Sequence, residues 1–269
     1  MDGNVKNFSG LAVCNVELSS RCNKSCFCCG RRKIDRDHPE LALQYGDMDF
    51  DLLETIAKKL PSNLLIQFHS NGEPLLYPYL GSAFYLFKNH IKCLDTNAKL
   101  LLERARSIIG FLDTLTISVI ENDSEGDKQY EIVKKFLEIK EEAKPRLIYR
   151  LLGNIENKER WYKLPGLVAT RTLHNPMGSN TYQKQVTIPE HGICLDLLTH
   201  LTIDRWGNCY PCVRLNPKRL QQLGNIKFMS IEEIWNSSIR KKMIELHIAG
   251  KRDEIDLCST CDYYGCPTS

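Results

Sequence analysis

Three cysteines near the N-terminus have the spacing of an iron–sulfur ligand set. Cys22, Cys26 and Cys29 are separated by three and then two residues. Thiolates are the usual protein ligands of iron–sulfur clusters, and one tight loop can direct three of them at one cluster. No fourth cysteine lies at a matching spacing, so a four-iron cube held here would keep one iron open to a small molecule. The pattern predicts chemistry at the metal rather than electron storage alone.

A second motif, Asn71-Gly72-Glu73-Pro74, follows a segment that is predicted to be a strand. Together with the cysteine spacing it resembles the signature of the radical S-adenosylmethionine (radical SAM) enzymes, in which a Gly-Glu-Pro segment follows the second barrel strand. The family spacing favours Cys29 over Cys28 as the third ligand. The resemblance implies that the open iron chelates the amine and carboxylate of S-adenosylmethionine, and that Glu73 accepts hydrogen bonds from the amine.

The resemblance also implies which other residues line the cofactor site. Asn97 lies in a segment similar to the family's Thr-Asn-Gly, and Ser118 falls where the fourth strand often touches the ribose. Arg150 on the fifth strand could meet the cofactor carboxylate or be structural, and the backbone of Cys28 is expected near the adenine. The expected cofactor-binding residues are Cys28, Gly72, Glu73, Pro74, Asn97, Ser118 and Arg150.

The expected reaction is reductive cleavage of S-adenosylmethionine to a 5′-deoxyadenosyl radical, which abstracts hydrogen from a substrate. A net oxidation of a small polar alcohol or amino-sugar-like substrate is one outcome, as in the family's aminocyclitol dehydrogenases, and modification of a ribosomally made peptide is another. Arg171 and His174 follow the last predicted barrel strand and are the candidate substrate-contacting catalytic residues. An electron donor of the flavodoxin or ferredoxin type is implied. An iron–sulfur electron carrier or a zinc-stabilised binding protein is the alternative from another class.

Strands alternate with helices through the first two thirds of the chain. Residues 11–18 and 64–68 are β-rich, whereas residues 50–60 place apolar side chains at helical spacing, with Asp49 as a cap. Such alternation predicts an α/β fold with a parallel sheet, and catalytic loops at the carboxyl ends of its strands. The resemblance sharpens this expectation to a partial (β/α)6 barrel, similar to an open TIM barrel.

The last third is rich in cysteine and is expected to form a second domain. A hairpin is predicted around Trp206-Gly207-Asn208, and a capping box is predicted from Ser230 to Glu233. These features resemble the SPASM/Twitch extension of radical SAM enzymes, which holds auxiliary clusters. The expected ligands of one auxiliary [4Fe–4S] cluster are Cys194, Cys212, Cys258 and Cys261. Taken alone, the group of Cys212, Cys258 and Cys261 fits a closed zinc site equally well.

The expected domains are residues 1–190, the partial barrel, and 191–269, the auxiliary domain. Cys209 and Cys266 have no assigned role, because two spare thiols cannot complete another four-cysteine site. A leader-peptide-binding domain before the barrel is not expected, since about a dozen residues precede the first strand.

Composition narrows the class of protein. The chain has 269 residues, a formal net charge of +3 and twelve cysteines. This charge is small and evenly spread, which gives no indication of nucleic acid binding. No apolar run reaches membrane length, and the polar N-terminus is unlike a signal peptide, so a cytoplasmic location is expected. Clustered cysteines in a reducing compartment indicate metal binding rather than disulfides.

Overall fold

A computed structural model describes residues 8–171, 173, 193–214, 216–259 and 261 of the chain. The strands in this part are β1 Val13–Val16, β2 Leu65–Phe68, β3 Ile91–Thr96, β4 Thr114–Ile120, β5 Arg146–Leu152, β6 Leu167–Arg171, β7 His200–Ile203, β8 Asn208–Tyr210 and β9 Gly224–Asn225. The α-helices are α1 Arg31–Asp37, α2 Pro39–Ala42, α3 Phe50–Lys59, α4 Leu80–Leu86, α5 Ala105–Ile108, α6 Gly126–Lys140, α7 Glu159–Tyr162, α8 Leu195–Thr199, α9 Ile231–Trp235, α10 Ser238–Ile248 and α11 Asp256–Ser259. Short 3₁₀ helices span Pro74–Leu76 and Arg252–Glu254.

Strands β1 to β6 lie side by side in chain order and are all parallel. Between successive strands the chain crosses over, in most cases through helices such as α3 and α6. The described sheet ends at β6 on one side and at β9 on the other, so it stays open. The expected α/β class and the partial barrel are confirmed.

Local sequence explains the crossover helix α3. The side chain of Asp49 accepts hydrogen bonds from the backbone N–H groups of Asp51 and Leu52, which satisfies donors that the first helical turn leaves unpaired. The helix buries Leu52, Leu53 and Ile56 against the sheet core, as its apolar spacing predicts. Both the helix and its cap were expected from the sequence.

Alternation along the strands separates the core from the barrel interior. Ile117 and Tyr149 are fully buried in the apolar core. The positions next to buried core residues along these strands line a cavity inside the barrel. They are occupied by Ser118, Arg150 and Asp95. Because successive side chains of a strand point to opposite faces, this pattern directs polar groups inward near the carboxyl ends of the strands.

The C-terminal hairpin extends the barrel sheet. Strand β7 pairs in parallel with β1, and β8 pairs antiparallel with β7, as the predicted hairpin requires. The pairing of β7 with β1 was not expected from the sequence. Cys209 on β8 is fully buried in the same apolar core as Cys14, which accounts for one thiol without an assigned role. Cys266 lies outside the described residues, and the boundary at residue 190 stays a prediction.

Helices α9 and α10 follow the hairpin in the chain. The predicted capping box is present at α9, where Ser230 and Glu233 exchange side-chain-to-backbone hydrogen bonds. Arg240 on α10 is buried and donates hydrogen bonds to the carbonyl oxygens of Leu197, Leu198 and Trp235. These bonds fix α10 to the segment that leads into β7. Within the described ranges, no helix has the length and apolar character needed to cross a bilayer.

Candidate active site

A cavity of about 1350 Å³, its open mouth included, lies at the carboxyl ends of the barrel strands. Most of the residues predicted for the cofactor site line it: Cys22, Cys26, Cys28, Cys29, Gly72, Glu73, Asn97, Ser118 and Arg150. Arg171, predicted for the substrate, lines it as well. Pro74 is buried in the first position of a 3₁₀ helix and is not among the lining residues. His174 lies outside the described residues.

Glu73 is a buried carboxylate in the wall of this cavity, with 2% of its surface exposed. Its Oε1 accepts hydrogen bonds from Thr96 Oγ1 at 2.7 Å and from the backbone N–H of Leu75 at 3.0 Å. Its Oε2 accepts one from the backbone N–H of Asn97 at 2.8 Å. Burial raises the pKa of Glu73 to about 7, although these hydrogen bonds oppose the rise. Oε2 has a second lone pair, which can accept a further donor.

Asn97 connects Glu73 to the cysteine loop. While its backbone N–H bonds to Glu73, its Nδ2 donates to Asn23 Oδ1 at 2.9 Å and lies 3.8 Å from the sulfur of Cys22. Ala98, the next residue, has φ of 65° and is fully buried. A glycine would adopt this left-handed conformation without strain, which explains why glycine suits this position in the motif.

The loop containing Gly72 packs directly against the start of the cysteine loop. The backbone N–H of Glu73 donates to the carbonyl oxygen of Arg21 at 2.7 Å. A Cβ atom added at Gly72 would lie 2.0 Å from the carbonyl oxygen of Ser19 and 2.7 Å from that of Arg21. Only a residue without a side chain permits this approach. The glycine of the motif therefore sets the distance between the two loops.

The thiols of the cysteine loop crowd together in a poorly solvated place. Burial raises the pKa of Cys26 to about 12, and the neighbouring thiols of Cys29, Cys28 and Cys22 add to the rise, which Lys24 opposes. Burial also raises the pKa of Cys22 and, to about 11, that of Cys28. Ionising a thiol in such a place costs free energy unless a cationic group is bound close by. A metal cluster is such a group and stabilises the thiolates that bind it.

The donor set is suited to an iron–sulfur cluster, whose usual protein ligands are thiolates. Among the described residues, no three His, Cys, Asp or Glu side chains meet at the geometry of one metal ion. A four-iron cube spreads its thiolates over separate iron atoms, so its ligands need not meet at one point. Cys22, Cys26 and Cys29 would hold such a group.

Asp95 and His69 are site residues that the sequence reasoning missed or assigned to packing. Asp95 accepts a hydrogen bond from Gln67 Nε2 at 2.6 Å and pairs with the guanidinium of Arg150. His69 Nδ1 lies 3.7 Å from Asp95 Oδ2. Burial raises the pKa of Asp95, but the charges of His69 and Arg150 outweigh it and the net shift is downward. Side chains alternate between the two faces of a sheet along each strand. Counting this alternation along β2, β3 and β5 could have identified the residues that face the cavity.

The four cysteines predicted for the auxiliary cluster approach one another in the C-terminal part. Burial raises the pKa of Cys258, and the nearby thiols of Cys212, Cys261 and Cys194 raise it further. Burial likewise raises the pKa of Cys212, to about 12. Two of the four, Cys194 and Cys258, pack against a small apolar cluster formed by Leu197, Met243 and Ile255.

Arg252 holds the turn between the last two of these cysteines. Its Nη1 donates to the carbonyl oxygens of Cys258 and Cys261, each at 3.1 Å. The backbone N–H of Cys261 also bonds to the carbonyl oxygen of Cys258 at 3.1 Å. The Cys-x-x-Cys turn is therefore organised by the protein itself.

One family model matches the C-terminal part of the chain. Residues 194–262 match the family model SPASM, described as an iron–sulfur cluster-binding domain. No curated protein matches the sequence significantly.

Solved structures match nearly the whole chain. BtrN in complex with AdoMet and 2-DOIA matches with a TM-score of 0.59 and 21% identity, covering 93% of this chain and 92% of BtrN. Streptococcus suis SuiB bound to S-adenosylmethionine matches with a TM-score of 0.63 and 13% identity, covering 96% of this chain and 73% of SuiB. SuiB bound to its precursor peptide SuiA matches with a TM-score of 0.58. The chain therefore has the fold of the radical SAM enzymes, a partial barrel followed by a SPASM-type domain.

Proposed function

We propose that the protein is a radical SAM enzyme that uses S-adenosylmethionine to abstract hydrogen from a substrate bound in the barrel cavity. The observation that carries the proposal is the connection from Glu73 through Asn97 to Cys22. It puts a buried carboxylate, suited to an amine, in the same cavity as the three thiols that are expected to hold an open iron–sulfur cluster. An ordinary electron carrier needs no such carboxylate.

Different residues would bind the cluster and S-adenosylmethionine. Cys22, Cys26 and Cys29 would hold a [4Fe–4S] cluster, and Glu73 Oε2 would accept a hydrogen bond from the amine of S-adenosylmethionine. Such a cluster, when bound with S-adenosylmethionine and reduced by one electron, supplies a 5′-deoxyadenosyl radical. The protein then has to orient the substrate and exclude water and other hydrogen donors. The strand ends that surround the cavity would supply the side chains that orient the substrate and exclude water.

The C-terminal thiols indicate which overall reaction the protein catalyses. Cys194, Cys212, Cys258 and Cys261 would hold an auxiliary [4Fe–4S] cluster, which can accept an electron from a substrate from which hydrogen has been removed. We infer a net oxidation, the dehydrogenation of a small polar alcohol or a related substrate. The similarity over nearly the full length of both chains to BtrN, which was solved in complex with AdoMet and 2-DOIA, supports a small-molecule substrate.

Modification of a peptide is the second candidate. The similarity to SuiB bound to the precursor peptide SuiA favours it, and the TM-score of 0.58 is close to that of the BtrN complex. Either reaction requires an external one-electron donor, for which a flavodoxin or a ferredoxin is suited. A product analysis separates the two candidates, because only the second yields a modified peptide.

Affinity for S-adenosylmethionine tests the proposal. Anaerobically reconstituted wild-type protein should bind the cofactor, and a Cys22→Ala/Cys26→Ala/Cys29→Ala variant should lose the binding along with the open cluster. The matched control is Cys258→Ala/Cys261→Ala, which removes the same kind of ligand elsewhere and should keep the affinity. Equal affinity in the wild type and the triple variant would refute the proposal.

A further inference from the structure

A second cavity, of about 740 Å³ with its open mouth included, adjoins the proposed cofactor site. The two cavities share Ser70, Asn71, Val213 and Arg214 as lining residues. The second cavity lies at the carboxyl ends of strands β1 and β7, and Cys212, an expected ligand of the auxiliary cluster, also lines it. None of the residues predicted to bind S-adenosylmethionine is part of its lining, so the cofactor leaves this space to another ligand.

Glu17 is a buried carboxylate in the wall of this second cavity, with 4% of its surface exposed. Its Oε2 accepts a hydrogen bond from the backbone N–H of Arg205 at 3.1 Å. Burial raises the pKa of Glu17; the hydrogen bond from Arg205 opposes the rise, and the charge of Asp204 adds to it. Among the described residues, no cationic side chain forms an ion pair with Glu17. Because buried carboxylates are normally paired, this one has a place for a cation.

Thr202 supplies a second polar group that the protein does not use. It is 4% exposed and lines the same cavity, and its Oγ1 has no hydrogen-bond partner among the described residues. In the pairing of β1 with β7, Thr202 lies opposite Asn15, and Glu17 is two residues further along β1. Since side chains alternate between the two faces of a sheet, Thr202 and Glu17 lie on the same face of neighbouring strands. A buried hydroxyl without a partner costs free energy, which a ligand would recover.

The other charged side chains that line the cavity have contacts of their own. Asp204 accepts hydrogen bonds from two backbone N–H groups of the hairpin turn, both at 2.9 Å. Arg219 stacks on Trp206 at 4.8 Å, and Arg214 lies 3.7 Å from Asp196. None of these contacts involves the buried carboxylate on β1. They organise the wall and leave that carboxylate available to a ligand.

A protonated primary amine matches the two available groups. It carries three N–H donors and one positive charge, so it can donate to a carboxylate and to a hydroxyl and neutralise the former. A neutral hydroxyl would leave the charge of the carboxylate uncompensated, and an anion would be repelled by it. The rest of the wall includes the apolar side chains of Ile34, Leu41, Val213 and Pro217, which suit a carbon skeleton that carries the amine.

We propose that Glu17 and Thr202 form a subsite for the primary amine of a small-molecule substrate. This inference rests on the proposed function, because the ligand is a substrate only if the adjoining cavity holds S-adenosylmethionine. The carbon skeleton would pack on the apolar wall and extend past Ser70 and Asn71, which both cavities share, toward the cofactor. The substrate class is then a small primary amine, such as an amino alcohol.

Calorimetric titration of the reconstituted protein, saturated with S-adenosylmethionine at neutral pH, tests the subsite. The probes are cyclohexylamine, cyclohexanol and cyclohexanecarboxylate, which share one ring and differ in the group that it carries. We expect cyclohexylamine to bind about tenfold or more tightly than cyclohexanol, the scale of one charge-assisted contact, and the carboxylate to bind most weakly. No measurable binding of cyclohexylamine, or binding no tighter than that of cyclohexanol, would overturn the subsite.

Glu17→Gln locates the charge that selects the amine. Glutamine keeps an oxygen that can accept from the backbone N–H of Arg205, but it removes the negative charge. The affinity for cyclohexylamine should fall by about tenfold or more, while that for cyclohexanol should change little. The matched control is Glu54→Gln, since Glu54 pairs with Lys58 on helix α3 and does not line the cavity.

Thr202→Val separates binding from stability. Valine has nearly the shape of threonine, and the hydroxyl that it removes has no partner among the described residues. The free energy of unfolding without ligand should therefore stay the same or increase, whereas the affinity for cyclohexylamine should fall several-fold because one hydrogen bond is lost. A hydroxyl with a purely structural role would show the opposite pattern, with lower stability and unchanged affinity.

Equal iron content and equal affinity for S-adenosylmethionine show that the variants are folded, and Thr202→Val decides if Glu17→Gln fails this requirement. Unchanged affinity for cyclohexylamine in the folded variants would overturn the subsite. The proposed function would survive that result, because cleavage of S-adenosylmethionine is measured separately. Binding of cyclohexylamine without any cleavage of S-adenosylmethionine would instead refute the proposed function and leave the amine subsite standing.

Discussion

The carbonyl oxygen of Ser19 lies 2.0 Å from the place that a Cβ atom at Gly72 would occupy. This approach brings the segment that precedes the cysteine loop against the Gly-Glu-Pro loop. The hydrogen bond from the backbone of Glu73 to Arg21 reinforces the contact. The two motifs that the sequence presents separately are thus one structural unit.

Gly72→Ala should disrupt this unit. A methyl group cannot be accommodated at 2.0 Å from backbone, so the two loops must move apart, and we expect a loss of roughly 1–3 kcal/mol in the free energy of unfolding. The affinity for S-adenosylmethionine should fall as well. Urea unfolding and cofactor titration measure the two effects.

Gly81→Ala is the control for that substitution. Gly81 lies in helix α4, and the atoms nearest to an added Cβ are those of Ser107 at 3.8 Å, an ordinary contact distance. Alanine should be neutral or stabilising there because it favours the helix. If both alanine variants behaved alike, the close contact at Gly72 would have no energetic significance.

Glu73 should make stability depend on pH. Its pKa is raised from 4.5 to about 7, so the folded state holds the proton more tightly than the unfolded state does. The stability of the wild type should therefore fall, relative to Glu73→Gln, as the pH rises from about 4.5 to 7. The change in the difference is about 3 kcal/mol at most. Urea unfolding of both proteins before cluster loading, at several pH values, checks this, and parallel pH profiles would contradict it.

The barrel could be predicted from the sequence because its determinants are local, and the same local spacing is the basis on which the cysteine sites are predicted. Ligands on one loop are set by spacing, and the alternation of apolar segments specifies crossover helices such as α3. The pairing of β7 with β1 could not be predicted, because it joins strands almost two hundred residues apart. The same reason hid Asp95, whose role depends on which strands face one cavity. Glu73 was expected to bind an amine, and its three internal hydrogen bonds are visible only in the fold.

The C-terminal cysteines should hold a cluster with a role separate from cofactor cleavage. Cys258→Ala/Cys261→Ala leaves too few thiolates there, so about half of the iron in a protein with two four-iron clusters should be lost. Cleavage of S-adenosylmethionine should persist while oxidation of substrate stops. Iron and sulfide analysis together with product analysis test this, and undiminished substrate oxidation would reduce the auxiliary cluster to a structural element.

Arg252 should control how firmly that cluster is held. Arg252→Gln removes the charged donor that bonds to the carbonyl oxygens of Cys258 and Cys261, and we expect iron to be lost to a chelator several times faster. The open cluster should be unaffected, because Arg252 does not line its cavity. The measurement is the rate of bleaching of the cluster absorption. A rate equal to that of the wild type would show that the turn needs no such support.

Formation of 5′-deoxyadenosine tests the central claim most directly. Reconstituted wild-type protein, given a strong one-electron reductant and S-adenosylmethionine under anaerobic conditions, should produce it. Cys22→Ala/Cys26→Ala/Cys29→Ala should produce none, although the auxiliary cluster remains. Glu73→Gln should produce it only at a cofactor concentration about ten- to hundredfold higher, because it loses a charged acceptor worth roughly 1.5–3 kcal/mol. Absence of 5′-deoxyadenosine from wild-type protein that carries both clusters would contradict the account.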